Sequence, residues 1–321
     1  NDGINPPDSL ANSVNGNGNL CNDVAMTLHT KNDNKRRGIM MMLLACLAFS
    51  LMDAVMKQLV TDFPAIQVTA MRAISALPII IVYVHWRGAW VSLWKIRWPL
   101  HLFRVVLGVL MLTFFAFALK QLPLTEAYTL FYISPLVIAA LSIPFLGEKV
   151  AKASWIAIVI GLIGVLVVLK PTGSGMVSLA GLAILASAVC YAFSAITVRL
   201  LSRTDSTESM VFWLMLGVSL VAGFLAAPRW MPIMPQHYGL LVALAITGFI
   251  GQLTITEAFK LAPSATVTPF EYSALVWSLS LDLLIWNTLP GLRVFIGAAI
   301  IVASGIYLAR HEASGIEAEH P

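Results

Sequence analysis

Ten apolar stretches, separated by short polar connections, account for most of the chain from residue 38 onwards. Each is about 17 to 23 residues long, which lets an α-helix cross the hydrocarbon core of a bilayer. Apolar residues are continuous within each stretch and do not alternate with polar ones, so the pattern favours helices over a β-barrel. The predicted spans are residues 38–59, 66–86, 99–119, 124–146, 153–169, 176–198, 209–227, 237–259, 264–286 and 292–309.

The composition agrees with a chain that lies mostly in lipid. Hydrophobic residues make up 59% of the 321 residues and charged residues only 11%, whereas soluble domains carry about 25% charged residues. We therefore predict an all-α polytopic membrane protein surrounded by the lipid bilayer. The net charge of +4 does not indicate a nucleic-acid partner, because the basic residues follow the membrane topology.

The distribution of lysine and arginine predicts the orientation. With a cytoplasmic N terminus, thirteen basic residues lie on the cytoplasmic side and five on the other, as the positive-inside rule requires. Both termini are then cytoplasmic. The thirteen are Lys31, Lys35, Arg36, Arg37, Arg87, Lys95, Arg97, Lys149, Lys152, Arg199, Arg203, Lys260 and Arg310. The five are Lys57, Lys120, Lys170, Arg229 and Arg293.

Polar segments flank the apolar region at both ends. Residues 1–37 are rich in Asn and Gly and cannot bury enough apolar surface to fold alone, so we expect a disordered cytoplasmic tail. Met26 is a candidate for the natural start of translation. Residues 311–321 are predicted to form a second cytoplasmic tail. Between the tails we place two units of five spans each, residues 38–170 and residues 171–310.

Two regions about 140 residues apart resemble each other and indicate an internal repeat. The matched residues are Lys120 with Lys260, Pro123 with Pro263, Tyr132 with Tyr272, and Ala48-Phe49-Ser50 with Ala192-Phe193-Ser194. Because five is an odd number of spans, the second unit enters the membrane from the opposite side, and the two units are inverted repeats. Inverted repeats are a recurrent route to alternating access, with the substrate near the bilayer midplane. The repeat therefore predicts a transporter.

A family resemblance adds to this prediction. The pattern begins with Ala118-Leu119 and Pro123, continues with Pro135 inside the fourth span, and ends with Leu146-Gly147-Glu148 before the fifth. It resembles the EamA family of the drug/metabolite transporter superfamily, although Asn287-Thr288 replaces Gly-Glu in the second unit. The resemblance implies a ten-helix, inverted-repeat secondary transporter of the bacterial inner membrane. It also implies a small organic substrate such as an amino acid or a vitamin like riboflavin.

Charged residues inside the predicted spans are costly and mark candidate functional positions. Asp53, Arg72 and Glu126 fall in the outer part of the bilayer as candidate gating or coupling charges. Asp53 can pair with Arg72 or with Lys57. Two structural alternatives stay open: Arg72 ties two helices together through Asp53, and Glu126 stabilises the dipole of its helix. Glu271 lies deeper in its span and is a candidate for the cavity.

Aromatic and polar side chains define a candidate substrate cavity. Tyr132 and Tyr272 are repeat mates, so we expect them to face each other, although ordinary packing is an alternative. Asp282 is expected close to the outer surface. The histidines lie at span ends or outside the spans, so a histidine proton relay is not expected. The candidate cavity residues are Tyr128, Tyr132, Ser134, Gln252, Glu271, Tyr272 and Trp277.

A membrane-embedded enzyme and a scaffold without transport activity are the alternative classes. Such an enzyme needs clustered ligands or a nucleophile beside a base, and the sequence shows neither, so we predict no catalytic residue, metal site or cofactor. For a transporter the partner is a small-molecule substrate. A homodimer, the direction of transport, and proton coupling or simple facilitation stay open.

Overall fold

The computed structural model describes residues 9–94, 96–146, 152–169, 178–201, 204–261 and 268–318, and every regular element within these ranges is a helix. The predicted all-α class is confirmed. The α-helices are α1 (Ser9–Asp62), α2 (Ala65–Trp86), α3 (Trp98–Leu119), α4 (Leu124–Phe131), α5 (Ser134–Leu146), α6 (Lys152–Leu169), α7 (Leu179–Leu201), α8 (Thr207–Ala226), α9 (Tyr238–Leu261), α10 (Ser273–Trp286) and α11 (Leu292–Ala318). Short 3₁₀ helices cover Ala89–Leu93, Ala227–Arg229, Pro235–His237 and Thr268–Tyr272.

Six helices in the described part of the chain are long and apolar enough to cross a bilayer. Each coincides with one of the ten predicted spans. The fourth predicted span falls on α4 together with α5, and the fifth, ninth and tenth fall on α6, α10 and α11. These four spans stay predictions. The six spans are Arg36–Asp62, Ala65–Trp86, Trp98–Leu119, Leu179–Val198, Thr207–Arg229 and Pro235–Ile255.

The first helix begins well before its membrane span. Its backbone is helical from Ser9, where the sequence predicts an irregular tail over residues 1–37; residues 1–8 lie outside the described residues. A helix already formed in the apolar part can extend into a polar neighbour, since elongation is much easier than nucleation. At the other terminus α11 runs to Ala318, so it includes most of the predicted second tail.

The fourth predicted span is interrupted. The helix α4 ends at Phe131, Tyr132 and Ile133 form a turn, and α5 begins at Ser134. Pro135 explains the break, because it has no N–H to donate to the carbonyl of Phe131 and disfavours a helical conformation for the residue before it. The Gly147-Glu148 part of the family pattern lies outside the described residues.

The ninth predicted span also has an irregular start. Residues 262–267 lie outside the described residues, Thr268–Tyr272 is a 3₁₀ helix, and α10 begins at Ser273. Tyr132 and Tyr272 therefore occupy equivalent places, each just before the regular helix of its span.

The helices pack around α1 and α4. The membrane part of α1 runs along α9 and also contacts α10, while α4 packs against α10, α7 and α11. Large apolar side chains such as Phe224 and Leu284 remain exposed on the outside of the bundle. In a membrane protein such side chains contact the acyl chains.

Two glycines bring α6 and α11 into backbone contact. A Cβ at Gly297 would lie 2.8 Å from the carbonyl oxygen of Gly164, and a Cβ at Gly164 would lie 3.1 Å from the carbonyl oxygen of Gly297. Small residues permit this close approach, which is a common way for helices to associate in membranes.

We expect Gly164→Val to destabilise the protein by about 1–3 kcal/mol, because the added side chain forces the two backbones apart. The matched control is Gly223→Val on α8, where nothing lies within 4 Å of an added Cβ. Thermal unfolding of both variants in the same detergent measures the effect. Equal unfolding temperatures for the two variants would contradict the close α6–α11 contact.

Candidate functional site

The two helix breaks lie against each other and form the polar centre of the site. The rings of Tyr132 and Tyr272 are 5.0 Å apart between centroids, as predicted for repeat mates that face each other. The Tyr132 hydroxyl donates a hydrogen bond of 2.6 Å to the backbone oxygen of Glu271. That oxygen belongs to the 3₁₀ helix before α10. Any side chain at Gly305 of α11 would collide with the Tyr272 hydroxyl, so Gly305 provides the space for this ring.

Asp53 is held by a tyrosine on the interrupted span. Its Oδ2 accepts a hydrogen bond of 2.6 Å from the Tyr128 hydroxyl, while its buried Oδ1 has no hydrogen-bond partner among the described residues. Arg72 instead places Nη1 3.6 Å from the sulfur of Met56, and within the described ranges it forms no ion pair with Asp53. The charges of Asp53 and Arg72 still attract each other across the longer gap. The site therefore holds a buried carboxylate with one oxygen available.

Glu271 supplies a second carboxylate close to the tyrosines. Its side chain is half-buried, and no described residue is seen to donate a hydrogen bond to its carboxylate. Only its backbone oxygen is used, by Tyr132 and by the thiol of Cys46 at 3.6 Å. A carboxylate in such a place can hold a proton or a cationic group of a ligand.

A cavity of about 80 Å³ lies to one side of the tyrosines, between α1, α2, α8 and α9. Of the predicted site residues, Arg72 and Gln252 line it, and Tyr128, Tyr132 and Tyr272 are not among its lining residues. The volume is far below the roughly 300–1,000 Å³ of typical ligand pockets. A metabolite therefore requires the helices to separate before it can enter.

The remaining predicted site residues have simpler surroundings. Glu126 is half-buried in the first turn of α4, where a carboxylate favours the helix dipole. Ser134 is buried at the first position of α5. Trp277 is half-buried, and its indole N–H has no acceptor among the described residues.

Asp282 has a central role that the sequence did not indicate. Its side chain is fully buried within the protein. It accepts hydrogen bonds from the backbone N–H groups of Leu124 at 3.0 Å and Thr125 at 2.8 Å, and from the Thr125 hydroxyl at 2.9 Å. It thus satisfies the free N–H groups at the start of α4, a favourable place for a negative charge.

The partner of Lys57 also differs from the prediction. Its ammonium lies 3.1 Å from Asp282 Oδ1 and 4.2 Å from the centre of the Trp286 ring, so it pairs with Asp282 and not with Asp53. A one-turn spacing within α1 allows a Lys57–Asp53 contact. However, hydrogen bonds from the N terminus of α4 hold Asp282 beside Lys57. Asp53 instead accepts a hydrogen bond from Tyr128.

Two histidines near span ends are engaged in pairs with aspartates. His101 Nε2 lies 2.9 Å from Asp205 Oδ2, with both side chains buried. His237 Nε2 lies 3.3 Å from Asp62 Oδ2, with Asp62 half-exposed. Asp62 comes before the start of α2, and His101 comes after its end. Since α2 crosses the bundle, the two pairs lie at opposite ends of it.

The two aspartates share the same local geometry. Each follows a threonine whose hydroxyl donates to the aspartate Oδ1, at 3.3 Å for Thr61 and 2.6 Å for Thr204. Each threonine hydroxyl also contacts the carbonyl oxygen three residues earlier. The sequence carried this signal as the dipeptide Thr-Asp after the first and sixth predicted spans. The dipeptide alone does not indicate the pairing, because the partners are 104 residues apart for His101 and Asp205 and 175 residues apart for Asp62 and His237.

The surroundings of Asp205 hold its carboxylate in the charged form. Burial by itself raises the pKa of Asp205, but hydrogen bonds from Thr204, His101 and the backbone N–H of Arg97 outweigh it and hold the pKa below its usual value. Because its pKa is lower in the folded state, the Asp205 carboxylate stabilises the fold fully above the pKa of an unfolded aspartate, about 3.9. This stabilisation is lost as the pH falls through the pKa of the folded state. The His101–Asp205 pair therefore keeps its charged carboxylate at neutral pH.

We expect Asp282→Asn to lower the stability by about 3 kcal/mol, because it leaves the largely buried Lys57 without a counter-charge. The double variant Lys57→Met/Asp282→Asn should lose less than the sum of the single losses, since the two residues interact directly. Thermal unfolding in detergent measures all three proteins. The matched control is Glu208→Gln, whose ion-pair partner Arg87 is half-exposed, so its loss should cost under about 1 kcal/mol. Additive losses in the double variant would contradict the ion pair.

The sequence matches known membrane transporters over nearly its whole length. The EamA-like transporter family matches it twice, at residues 36–170 and 178–310. The pseudopaline exporter CntI of Pseudomonas aeruginosa is 29% identical over 87% of this chain and 98% of its own. A riboflavin transporter of Vibrio cholerae is 30% identical over 86% and 94%. An S-adenosylmethionine uptake transporter of Rickettsia conorii is 25% identical over 88% and 96%.

A solved crystal structure shares the fold. It superposes with a TM-score of 0.60 at 22% identity and covers 85% of this chain and 98% of that chain. The apolar helices, the polar residues buried between them and the two family matches agree with one another. The chain therefore belongs to the EamA-like transporter family and is a multi-pass membrane transporter, not an enzyme.

Proposed function

We propose that the protein moves a small organic metabolite across the bacterial inner membrane by alternating access between two inverted halves. In this proposal the halves are residues 38–170 and 171–310, each with five spans, and both termini are cytoplasmic. The observation that carries the proposal is the pair of equivalent His–Asp contacts at opposite ends of the bundle.

The His–Asp contacts occupy corresponding positions in the two halves. Asp62 is the last residue of the first helix of the first half, and Asp205 follows the first helix of the second half. His101 lies at the start of the third span of the first half, and His237 just before the third span of the second half, α9. Each contact joins one half to the other. Inversion would put equivalent contacts at opposite ends of the molecule, where these two lie.

Such contacts suit the two gates of an alternating-access cycle. A charge-assisted hydrogen bond contributes about 1.5–3 kcal/mol, which is enough to shift a two-state equilibrium about tenfold or more. When the His101–Asp205 contact opens, the His237–Asp62 contact holds the other end of the bundle closed. When the His237–Asp62 contact opens, the His101–Asp205 contact holds its own end closed. The polar centre at the two helix breaks lies between them, as discontinuous helices do in other inverted-repeat transporters.

Aspartate substitutions should shift this equilibrium in opposite directions. Two reporters occupy opposite ends of α8: Ser209→Cys near Asp205, and Ala226→Cys at the other end, both at buried positions. We expect Asp205→Asn to speed maleimide labelling at Ser209→Cys about tenfold, and Asp62→Asn to do so at Ala226→Cys. Labelling rates are measured in membranes with Cys21, Cys46 and Cys190 replaced by serine.

Each aspartate variant is the matched control for the other. If both variants speed labelling at the same end, or neither changes either reporter, the two contacts are not alternating gates. Stability of the variants in detergent separates gate opening from general unfolding, since unfolding exposes both reporters together.

The transport activity itself is tested by flux into proteoliposomes. The panel includes riboflavin and S-adenosylmethionine, the compounds in the names of two relatives, together with amino acids and other small metabolites. We expect saturable flux of at least one compound above the level of empty liposomes. Counterflow in both directions, with and without a proton gradient, then separates facilitated movement from proton coupling. Flux no greater than that of empty liposomes for every compound would count against the proposal.

A further inference from the structure

The cavity between α1, α2, α8 and α9 carries one basic residue among its described lining residues, Arg72. Most of the wall is apolar or aromatic, including Phe49, Tyr83 and Phe249. The only carboxylate in the described wall is Glu208, which faces Arg87 at 3.7 Å. Since that acidic group already has a cation beside it, the charge that remains in the cavity is positive.

The guanidinium of Arg72 has little to bind within the protein. Its Nη1 contacts the thioether sulfur of Met56, which is a weak acceptor. Asp53, the nearest acidic residue on α1, accepts a hydrogen bond from the Tyr128 hydroxyl at its Oδ2. It is not among the lining residues of the cavity. A guanidinium offers five N–H donors in a planar fork that matches a carboxylate or a phosphate. Most of these donors lack an acceptor from the described chain.

We infer that Arg72 binds the anionic group of the substrate, and that the substrates are small anions with an apolar or aromatic body. The inference rests on the proposed transport function and specifies its substrate class. The aromatic walls accommodate the apolar body, as in most small-molecule sites.

Asp53 gives the anion site a means of release. An anion bound to Arg72 from the cavity competes with the attraction between Arg72 and Asp53, which is not among the lining residues. When the anion leaves, Asp53 again provides the counter-charge, so the arginine is never far from a negative group. The Oδ1 of Asp53 accepts no hydrogen bond from the described residues, as expected of a carboxylate that changes partner.

Charge-selective thiol modification tests the anion site without a known substrate. Ala76 lies one helical turn from Arg72, on the same face of α2, and lines the cavity. In the chain without native cysteines, Ala76→Cys is treated with methanethiosulfonates that carry a sulfonate or a trimethylammonium group. The ratio of the anionic to the cationic rate measures the potential in the cavity. The control is Gln236→Cys in the exposed stretch before α9.

We expect this ratio at Ala76→Cys to fall about tenfold or more with Arg72→Gln and to be kept with Arg72→Lys, because one charge governs the local concentration of ions in a cleft. The ratio at Gln236→Cys should not respond, which also shows that the variants remain folded. An unchanged ratio in Arg72→Gln, or no reaction of Ala76→Cys with either reagent, would overturn the anion site.

A matched ligand pair extends the test to binding. Benzoate and benzamide have similar shapes but differ in charge, and each is tested for protection of Ala76→Cys against a neutral methanethiosulfonate. We expect benzoate to protect, benzamide to protect much less, and Arg72→Gln to abolish the difference. Equal protection by the two compounds would overturn the anion preference. These rates do not depend on turnover, so a failure of transport in proteoliposomes leaves them interpretable.

Discussion

The carboxylate of Asp282 satisfies a requirement that the membrane imposes on the whole fold. The first turn of α4, like that of any helix, leaves N–H groups without a partner in the helix, and lipid provides no water to bind them. Asp282 accepts hydrogen bonds from two of these N–H groups, and Lys57 balances its charge. One side chain thereby joins α1, α4 and α10. Because the interrupted helix is anchored at its start, Tyr128 and Tyr132 are held in place beside Asp53 and Glu271.

Hydropathy alone predicts much of the helical framework. Six spans follow directly from the length of their apolar runs, and Pro135 explains the interruption after Phe131. The contact between Tyr132 and Tyr272 was also predicted, because the two residues are matched positions in the internal sequence repeat. These features depend on local composition or on symmetry, both of which a single sequence records.

The partners of charged residues are harder to predict. Asp53 had two plausible cations nearby in sequence, yet its hydrogen bond comes from Tyr128, 75 positions away. Lys57 pairs across 225 positions with Asp282. The histidines lie near span ends, and their aspartate partners are 104 and 175 positions away in the sequence. Such contacts depend on how the helices pack, which hydrophobic pattern does not determine.

The close crossing of α6 and α11 has a consequence for how the protein can diversify. At Gly164 and Gly297 the backbones touch, so this seam has no room for larger side chains. It joins the last helices of the two segments that match the family. The cavity is bounded by other helices, α1, α2, α8 and α9. Side chains that line the cavity can therefore be exchanged while the seam keeps its glycines. The architecture separates a tightly constrained helix contact from cavity walls that are free to change.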